Sequence, residues 1–130
     1  MWNIIFEILK RLIVTCGNGF IGRHLVKKLI ATGQYSVVVI ANTPMTDRKM
    51  QELSALTFYM VNIRDRDIIL DISRKEKADT CIHLAAKISV SDSIRNPDET
   101  MTINVKGTEN VLEACYESDV GILIFASSQY

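Results

Sequence analysis

The sequence predicts an α/β fold built on a doubly wound parallel sheet, and three features predict it. Short apolar runs alternate with helix-length segments, the second run (residues 36–41, SVVVIA) is apolar throughout, and a glycine cluster follows the first run. A strand covered on both faces never meets water, so it carries β-branched apolar residues at every position. Strands that alternate with helices at this spacing imply βαβ units with right-handed crossovers.

Residues 11–15 (RLIVT) form the first expected strand, and residues 20–32 a helix with apolar positions at Ile21, Leu25, Leu29 and Ile30. Gly33 stands where a left-handed cap ends that helix, since glycine takes positive φ without a Cβ penalty. After the central strand, residues 42–46 read as a loop around Pro44 and residues 47–56 as weakly helical. Residues 57–61 (TFYMV) come next as a third strand, 65–73 as a helix and 80–84 (TCIHL) as a fourth strand. Residues 96–118 predict one long helix: Asn96 caps it, Pro97 suits its first turn, and Asp98 and Glu99 favour the positive end of its dipole. Met101, Val105, Thr108, Leu112 and Cys115 recur along it at helical spacing. Residues 121–126 (GILIFA) complete the set as a fifth strand. Residues 1–10 read as an atypical extension, with Ile4, Ile8 and Leu12 on one helical face or, alternatively, in a lengthened first strand. Residues 11–130 read as one domain.

The chain has 130 residues, enough for one core. Fifteen basic residues balance fifteen acidic ones, which gives no attraction to nucleic acid or to an anionic membrane. The apolar start is interrupted by Glu7, Lys10 and Arg11 and is too short to span a bilayer. Cys16, Cys81 and Cys115 form no C-x-x-C pair and share no ligand spacing with His24 or His83, so neither a disulfide framework nor a metal site is expected. Reduced thiols and a cytoplasmic location follow.

Gly17, Gly19 and Gly22 match G-x-G-x-x-G, immediately after a predicted strand and at the opening of a predicted helix. In that context the pattern has a mechanism: a tight turn, close approach of backbone to a pyrophosphate, and helix amides aimed at the anion. Gly17, Asn18, Gly19, Phe20, Ile21 and Gly22 are therefore candidate cofactor contacts in a Rossmann-type domain.

The segment LIVTCGNGFIGRHLV resembles the opening of the extended short-chain dehydrogenase/reductase family, which includes nucleotide-sugar epimerases and dehydratases. In the family's T-G-x-x-G-x-x-G frame the three glycine positions are Cys16, Gly19 and Gly22, so a cysteine replaces the first. If that position needs positive φ, Cys16 is strained by about 1 kcal/mol or more. The resemblance continues to Ser128. Asn62-Ile63-Arg64-Asp65 is similar to the family's D-I/L-R-D stretch, whose first two residues flank the adenine; read alone, it is a loop capping the next helix. His83-Leu84-Ala85-Ala86 resembles H-x-A-A, where Leu84, Ala85 and Ala86 let the cofactor lie against the backbone. His83 alone reads as a packed strand histidine. Asn104 to Thr108 resembles N-x-x-G-T, implying that Asn104 supports the neighbouring strands, and mid-helix Gly107 implies close packing. Ser128 aligns with the hydroxyl that holds the substrate's reacting oxygen and is the one catalytic candidate.

An acidic residue is expected about 20 residues past the glycines to bind the adenosine ribose, but Ala41-Asn42 stands there. Asn42 suits a ribose, while Arg48 or Lys49 suits a 2′-phosphate; the resemblance favours NAD and leaves NADP open. The family's Tyr-x-x-x-Lys pair does not occur in the sequence. The resemblance therefore implies a domain truncated after its fifth strand, which binds cofactor without turnover. It implies a homodimeric parent enzyme that oxidises a nucleotide-sugar hydroxyl, with epimerase, dehydratase and reductase outcomes all open. A cofactor-sensing module without chemistry is the alternative, and a plain scaffold is the third, since scaffolding needs no glycine turn.

Overall fold

The computed structural model describes residues 9–128. Five parallel strands, β1 (Lys10–Thr15), β2 (Tyr35–Ala41), β3 (Leu56–Met60), β4 (Thr80–His83) and β5 (Ile122–Phe125), lie in the order β3-β2-β1-β4-β5. The order reverses beside β1, where the chain steps from one half of the sheet to the other. Ile13 pairs with Val38 on one side and with Cys81 on the other, so β1 is central and both its neighbours run parallel to it. Val37, Val38, Val39 and Ile40 of β2 are at most 1% exposed, as a strand covered on both faces requires.

Alternation along the strands divides the core into two layers. Ile13, Val38, Ile40 and Cys81 face α3 (Arg66–Glu76) and α6 (Gly107–Glu117), where they meet Ile69, Ile72, Val111, Ala114 and Cys115. Val14, Val37, Val39 and Ala41 face the other way, toward Val26 of α1 (Phe20–Ala31) and Met50 of α2 (Arg48–Gln51). Gly33, at φ 72°, succeeds α1 in the left-handed conformation its position predicts.

Three expectations are corrected. The weakly helical stretch 47–56 contains only the single turn α2, held by Asp47, whose carboxylate accepts the amides of Lys49 and Met50. A short helix, α4 (Val90–Arg95), precedes the predicted long one in a stretch where no helix is predicted; its N-cap Ser89 accepts the amide of Asp92. The long helix itself is three pieces in sequence: α5 (Pro97–Met101), a π-helical turn (Thr102–Lys106) and α6. Asn96 caps α5 through the amide of Glu99, as expected. The π turn adds a residue and rotates α6 by about 100° relative to α5. Of the predicted stripe only Cys115 is buried: Met101, Val105 and Leu112 point outward at 60%, 43% and 48% exposure, and Val111 and Ala114 take the core-facing positions beside it. The remaining elements start or end one to three residues from their predicted bounds. Residues 1–8, with the choice between helix and longer strand at the start, lie outside the described residues, as does Tyr130. Among the described residues no helix is long and apolar enough to cross a membrane, and no group of three or more His, Cys, Asp or Glu is placed to hold a metal ion.

Candidate dinucleotide site

The carboxyl ends of β1, β2 and β4 open on the glycine turn. Thr15 ends β1, Cys16 turns the chain at φ 56°, and the Cys16 amide donates to the Ile40 carbonyl (2.7 Å), which ties the turn to β2. The left-handed residue is therefore Cys16, at the first glycine of the family frame, and the strain anticipated for it is present. Gly22 explains the tightness of the entry into α1. A Cβ there would lie 2.3 Å from the Cys16 carbonyl oxygen and 2.7 Å from the Gly17 Cα, both rigid backbone, so only hydrogen fits.

Helix α1 begins at Gly19 with no side-chain cap and no acidic residue in its first turn. The leading amides of a helix have no intrahelical partner; the Gly19 amide donates to the Cys16 carbonyl (3.0 Å), and those that follow it are left to solvent or to an anion. Burial pushes the Cys16 thiol pKa up, which keeps a negative charge away from this turn. Phe20 and Ile21 are 76% and 67% exposed; what the turn offers a ligand at these positions is backbone. Asn18 points sideways. Its side-chain amide donates to the Thr43 carbonyl (3.0 Å) and hydroxyl (3.1 Å) and to the Pro44 carbonyl (3.3 Å), clamping the glycine turn to the loop after β2.

Beside the turn lies a cleft of about 280 Å³. Asn42, Asn62, Ile63, Ala85 and Ala86 line it, which brings together five predicted site residues from the ends of three strands. Sequence reasoning missed Cys16, Ile40, Val61, Lys87, Glu99 and Ile103, which line it as well. The signals for Lys87 and Glu99 were faint: two opposite charges twelve residues apart, with nothing local to pair them. They form an ion pair across the mouth, and Lys87 holds the Glu99 carboxyl below its usual range. Leu84 does not line the cleft; its side chain packs into the α1 layer of the core. Ser128 is exposed beyond β5 and does not line the cleft.

The Asn62 segment does two things. Asn62 Oδ1 accepts the Arg64 amide (3.0 Å), forming a side-chain turn, and Asn110 of α6 binds the Ile63 carbonyl (2.9 Å). Asp65, at the start of α3, makes no capping bond with its side chain, which corrects the capping expectation.

His83 shapes the cleft floor from beneath. Thr15 Oγ1 accepts the amides of Leu84 and Ala85, each at 3.0 Å, which uses both its lone pairs. Its own proton therefore goes to His83 Nδ1, 2.7 Å away, and Nε2 carries the ring proton and donates to Thr108 Oγ1 at 2.9 Å. The imidazole is 1% exposed and neutral, and burial lowers its pKa to about 4. This is the packed strand histidine the residue alone suggests. It orders the backbone of Leu84 and Ala85 rather than meeting a ligand. Asn104, in the π turn, binds both the amide (2.7 Å) and the carbonyl (3.0 Å) of Lys87, so it supports the segment after β4.

An open parallel sheet, an uncapped helix entered through glycine, and a cleft over the strand ends at the order reversal together define a Rossmann-type nucleotide-binding domain. Residues 12–130 match the model of the NAD dependent epimerase/dehydratase family, and the chain belongs to that family. Among its relatives, the UDP-glucose 4-epimerase of Halalkalibacterium halodurans is 36% identical over 117 residues, which are 90% of this chain and 34% of the relative. The Thermus thermophilus UDP-glucose 4-epimerase, solved in complex with NAD, superposes with a TM-score of 0.81 at 35% identity, covering 91% of this chain and 37% of the other. The Thermotoga maritima UDP-glucose 4-epimerase, solved with UDP-glucose, gives 0.79 at 34% identity, covering 91% and 38%. The chain thus spans little more than a third of the length of these relatives.

Proposed function

We propose that this chain is the NAD-binding part of an epimerase-like enzyme that oxidises a nucleotide-sugar hydroxyl. The observation that carries this reading is the cleft beside an uncapped helix N-terminus entered through Gly19 and Gly22. The site suits a dinucleotide chemically. The turn is free of acidic side chains, the cleft walls at Ile40, Val61, Ile63 and Ala85 are apolar, and the amides of Asn42 and Asn62 provide both donors and acceptors. Backbone from Gly17 to Gly22 would receive the pyrophosphate, Asn42, Asn62 and Ile63 the adenosine side, and the backbone of Leu84, Ala85 and Ala86 would lie against ribose and phosphate, with the Leu84 side chain turned into the core. Bound NAD would supply the hydride acceptor. Ser128, at the carboxyl end of β5, would hold the sugar's reacting oxygen. NAD and UDP-glucose in the solved relatives support both halves of this assignment.

The 130 residues contain no Tyr-x-x-x-Lys, and on that ground the chain by itself binds cofactor without turnover. The same gap suits a dinucleotide sensor, which the full coding sequence distinguishes: a Tyr-x-x-x-Lys in frame after Tyr130 belongs to the enzyme. Three free cysteines support a cytoplasmic location. The outward stripe of Met101, Val105, Leu112 and Tyr116 supports pairing of two such helices in a homodimer. The test is titration with NAD, monitored by calorimetry and by amide NMR. Saturable binding with shifts at Gly17, Gly19 and Gly22 is expected, and an unchanged spectrum at millimolar NAD overturns the reading. Incubation with NAD and UDP-glucose is expected to yield no epimer; measurable product refutes the claim of inactivity.

A further inference from the structure

Two of the three cysteines meet in the core. Cys81 of β4 pairs with Ile13 of β1 and Leu123 of β5, and its side chain stands with that of Ile13 on the α6 side of the sheet. Cys115 lies on the inner face of α6 beside Val111 and Ala114, in the same buried cluster. The strand and the helix are already joined once, by the bond from His83 to Thr108 (2.9 Å). His83 is two residues beyond Cys81 on the same strand face, about 7 Å along it, and Thr108 is two turns before Cys115 on the same helix face, about 10 Å along it. Strand and helix run in opposite directions, so the cysteines form the next rung of one seam. There the Cys81 thiol donates a hydrogen bond to the Cys115 sulfur.

The contact makes the two thiols unequal. Cys81 keeps its proton, because the bond it donates and its burial both hold its pKa up. The same bond lowers the pKa of Cys115, whose sulfur is the acceptor. A thiolate is the form that attacks an oxidant, so Cys115 is the sulfur that reacts first. A small oxidant can approach from the amino end of β4, where a cavity of about 420 Å³ is lined by Ala78, three residues before Cys81, and by Ser118, three residues after Cys115. Cys16 is outside this cluster, at the cleft.

We propose that Cys81 and Cys115 form a reversible oxidation site, at which a peroxide converts the thiol pair to a disulfide that staples α6 to β4. The Cys115 sulfur attacks one oxygen of hydrogen peroxide and the O–O bond breaks; that oxygen stays on sulfur as a sulfenic acid, and the other leaves as water with the thiol's proton. The Cys81 sulfur then attacks the sulfenic sulfur, the S–S bond forms, the S–O bond breaks, and the oxygen leaves as a second water with the Cys81 proton. The sulfurs together lose two electrons, which reduce the peroxide. The staple fastens the helix that seats Ile63 to the strand that leads into Ala85 and Ala86, two walls of the cleft, and it does not depend on which cofactor the cleft takes.

The experiment treats the folded chain with a small excess of hydrogen peroxide, then unfolds it in an alkylating reagent and follows it by mass spectrometry. The reduced chain takes up three alkyl groups, one for each free cysteine. The oxidised chain is expected to be about 2 Da lighter before alkylation, to take up a single group at Cys16, and to give a digest in which the Cys81 and Cys115 peptides are joined. Dithiothreitol is expected to restore all three thiols. In Cys115→Ser, oxidation of Cys81 is expected to slow by about tenfold or more; should that variant not fold, the linkage map of the native chain still decides. The same treatment in urea is expected to give mixed pairings. Three thiols still open to alkylation, a disulfide that includes Cys16, a sulfinic acid on one sulfur in place of a link, or a Cys81–Cys115 link no more frequent in the folded chain than in urea overturns the inference.

Discussion

Cys16 occupies a left-handed position, φ 56°, that costs an ordinary residue about 1–2 kcal/mol. Glycine would remove that strain, although its extra freedom in the unfolded chain takes back about 0.4–1 kcal/mol. Cys16→Gly is therefore expected to raise stability by roughly 0.5–1 kcal/mol in urea unfolding while retaining NAD binding; a variant less stable than the native chain would show that the thiol's packing outweighs the backbone. His83 makes a pH prediction with a definite sign. Its folded pKa of about 4 lies below the ordinary 6.5, because the buried ring is held neutral. Above pH 6.5 the imidazole is neutral in both states and contributes no penalty. As pH falls from 6.5 toward 4 the unfolded chain takes up a proton that the folded one refuses, and stability drops by up to about 3 kcal/mol. Urea midpoints measured from pH 7 to pH 4.5 should track that slope, and His83→Gln should flatten it. An imidazole resonance that titrates near pH 6.5 in the folded protein would contradict the bonding assigned to Thr15 and Thr108.

The π turn and the start of α6 decide how the cleft is walled. Asn104 reaches the Lys87 backbone from within that turn, and Gly107 lets α6 press against Ile63. A Cβ on Gly107 would sit 2.5 Å from Ile63 Cδ1 and 2.6 Å from Cγ1, too close for the side chain to stay where it is. Gly107→Ala is thus expected to cost about 1–3 kcal/mol despite alanine's better helix propensity, and to weaken NAD binding by displacing a cleft residue. Adding Ile63→Val, which shortens the opposing chain, should recover part of the loss; strictly additive effects in that double-mutant cycle would mean the two do not touch. The mid-helix glycine and the asparagine three residues before it were legible as unusual in the sequence. The bulge between them was not, because a π turn has no periodicity of its own and leaves the helical spacing on either side intact.

At the scale of the whole domain, β5 is the more exposed of the sheet's two edges among the described residues. Strand β5 pairs only with β4 among the described strands, and Ile122, Ile124 and Phe125 are 58%, 52% and 55% exposed. An apolar edge with free backbone groups invites pairing between molecules. The isolated chain is expected to self-associate with rising concentration in light scattering, and Ile124→Lys to suppress this with a change in stability within about 0.5 kcal/mol. Equal association by the lysine variant would place the contact elsewhere.

The alternation of strands and helices, the glycine turn and the buried identity of β2 could all be read from the sequence, since each rests on local chemistry: β-branched runs, glycine next to a strand, a capped helix start. Of the five cleft residues, Asn42 was located by its spacing from the glycines, whereas Asn62, Ile63, Ala85 and Ala86 were implied by the family resemblance. Tertiary structure alone decided the rest. It joined Lys87 to Glu99, turned Asn18 away from the helix axis toward Thr43, committed Asp47 to Lys27, and gave Thr15 and His83 their shared proton. Those pairings depend on which strand ends lie side by side, and separations of twelve to sixty-eight residues carry no local signal of that kind.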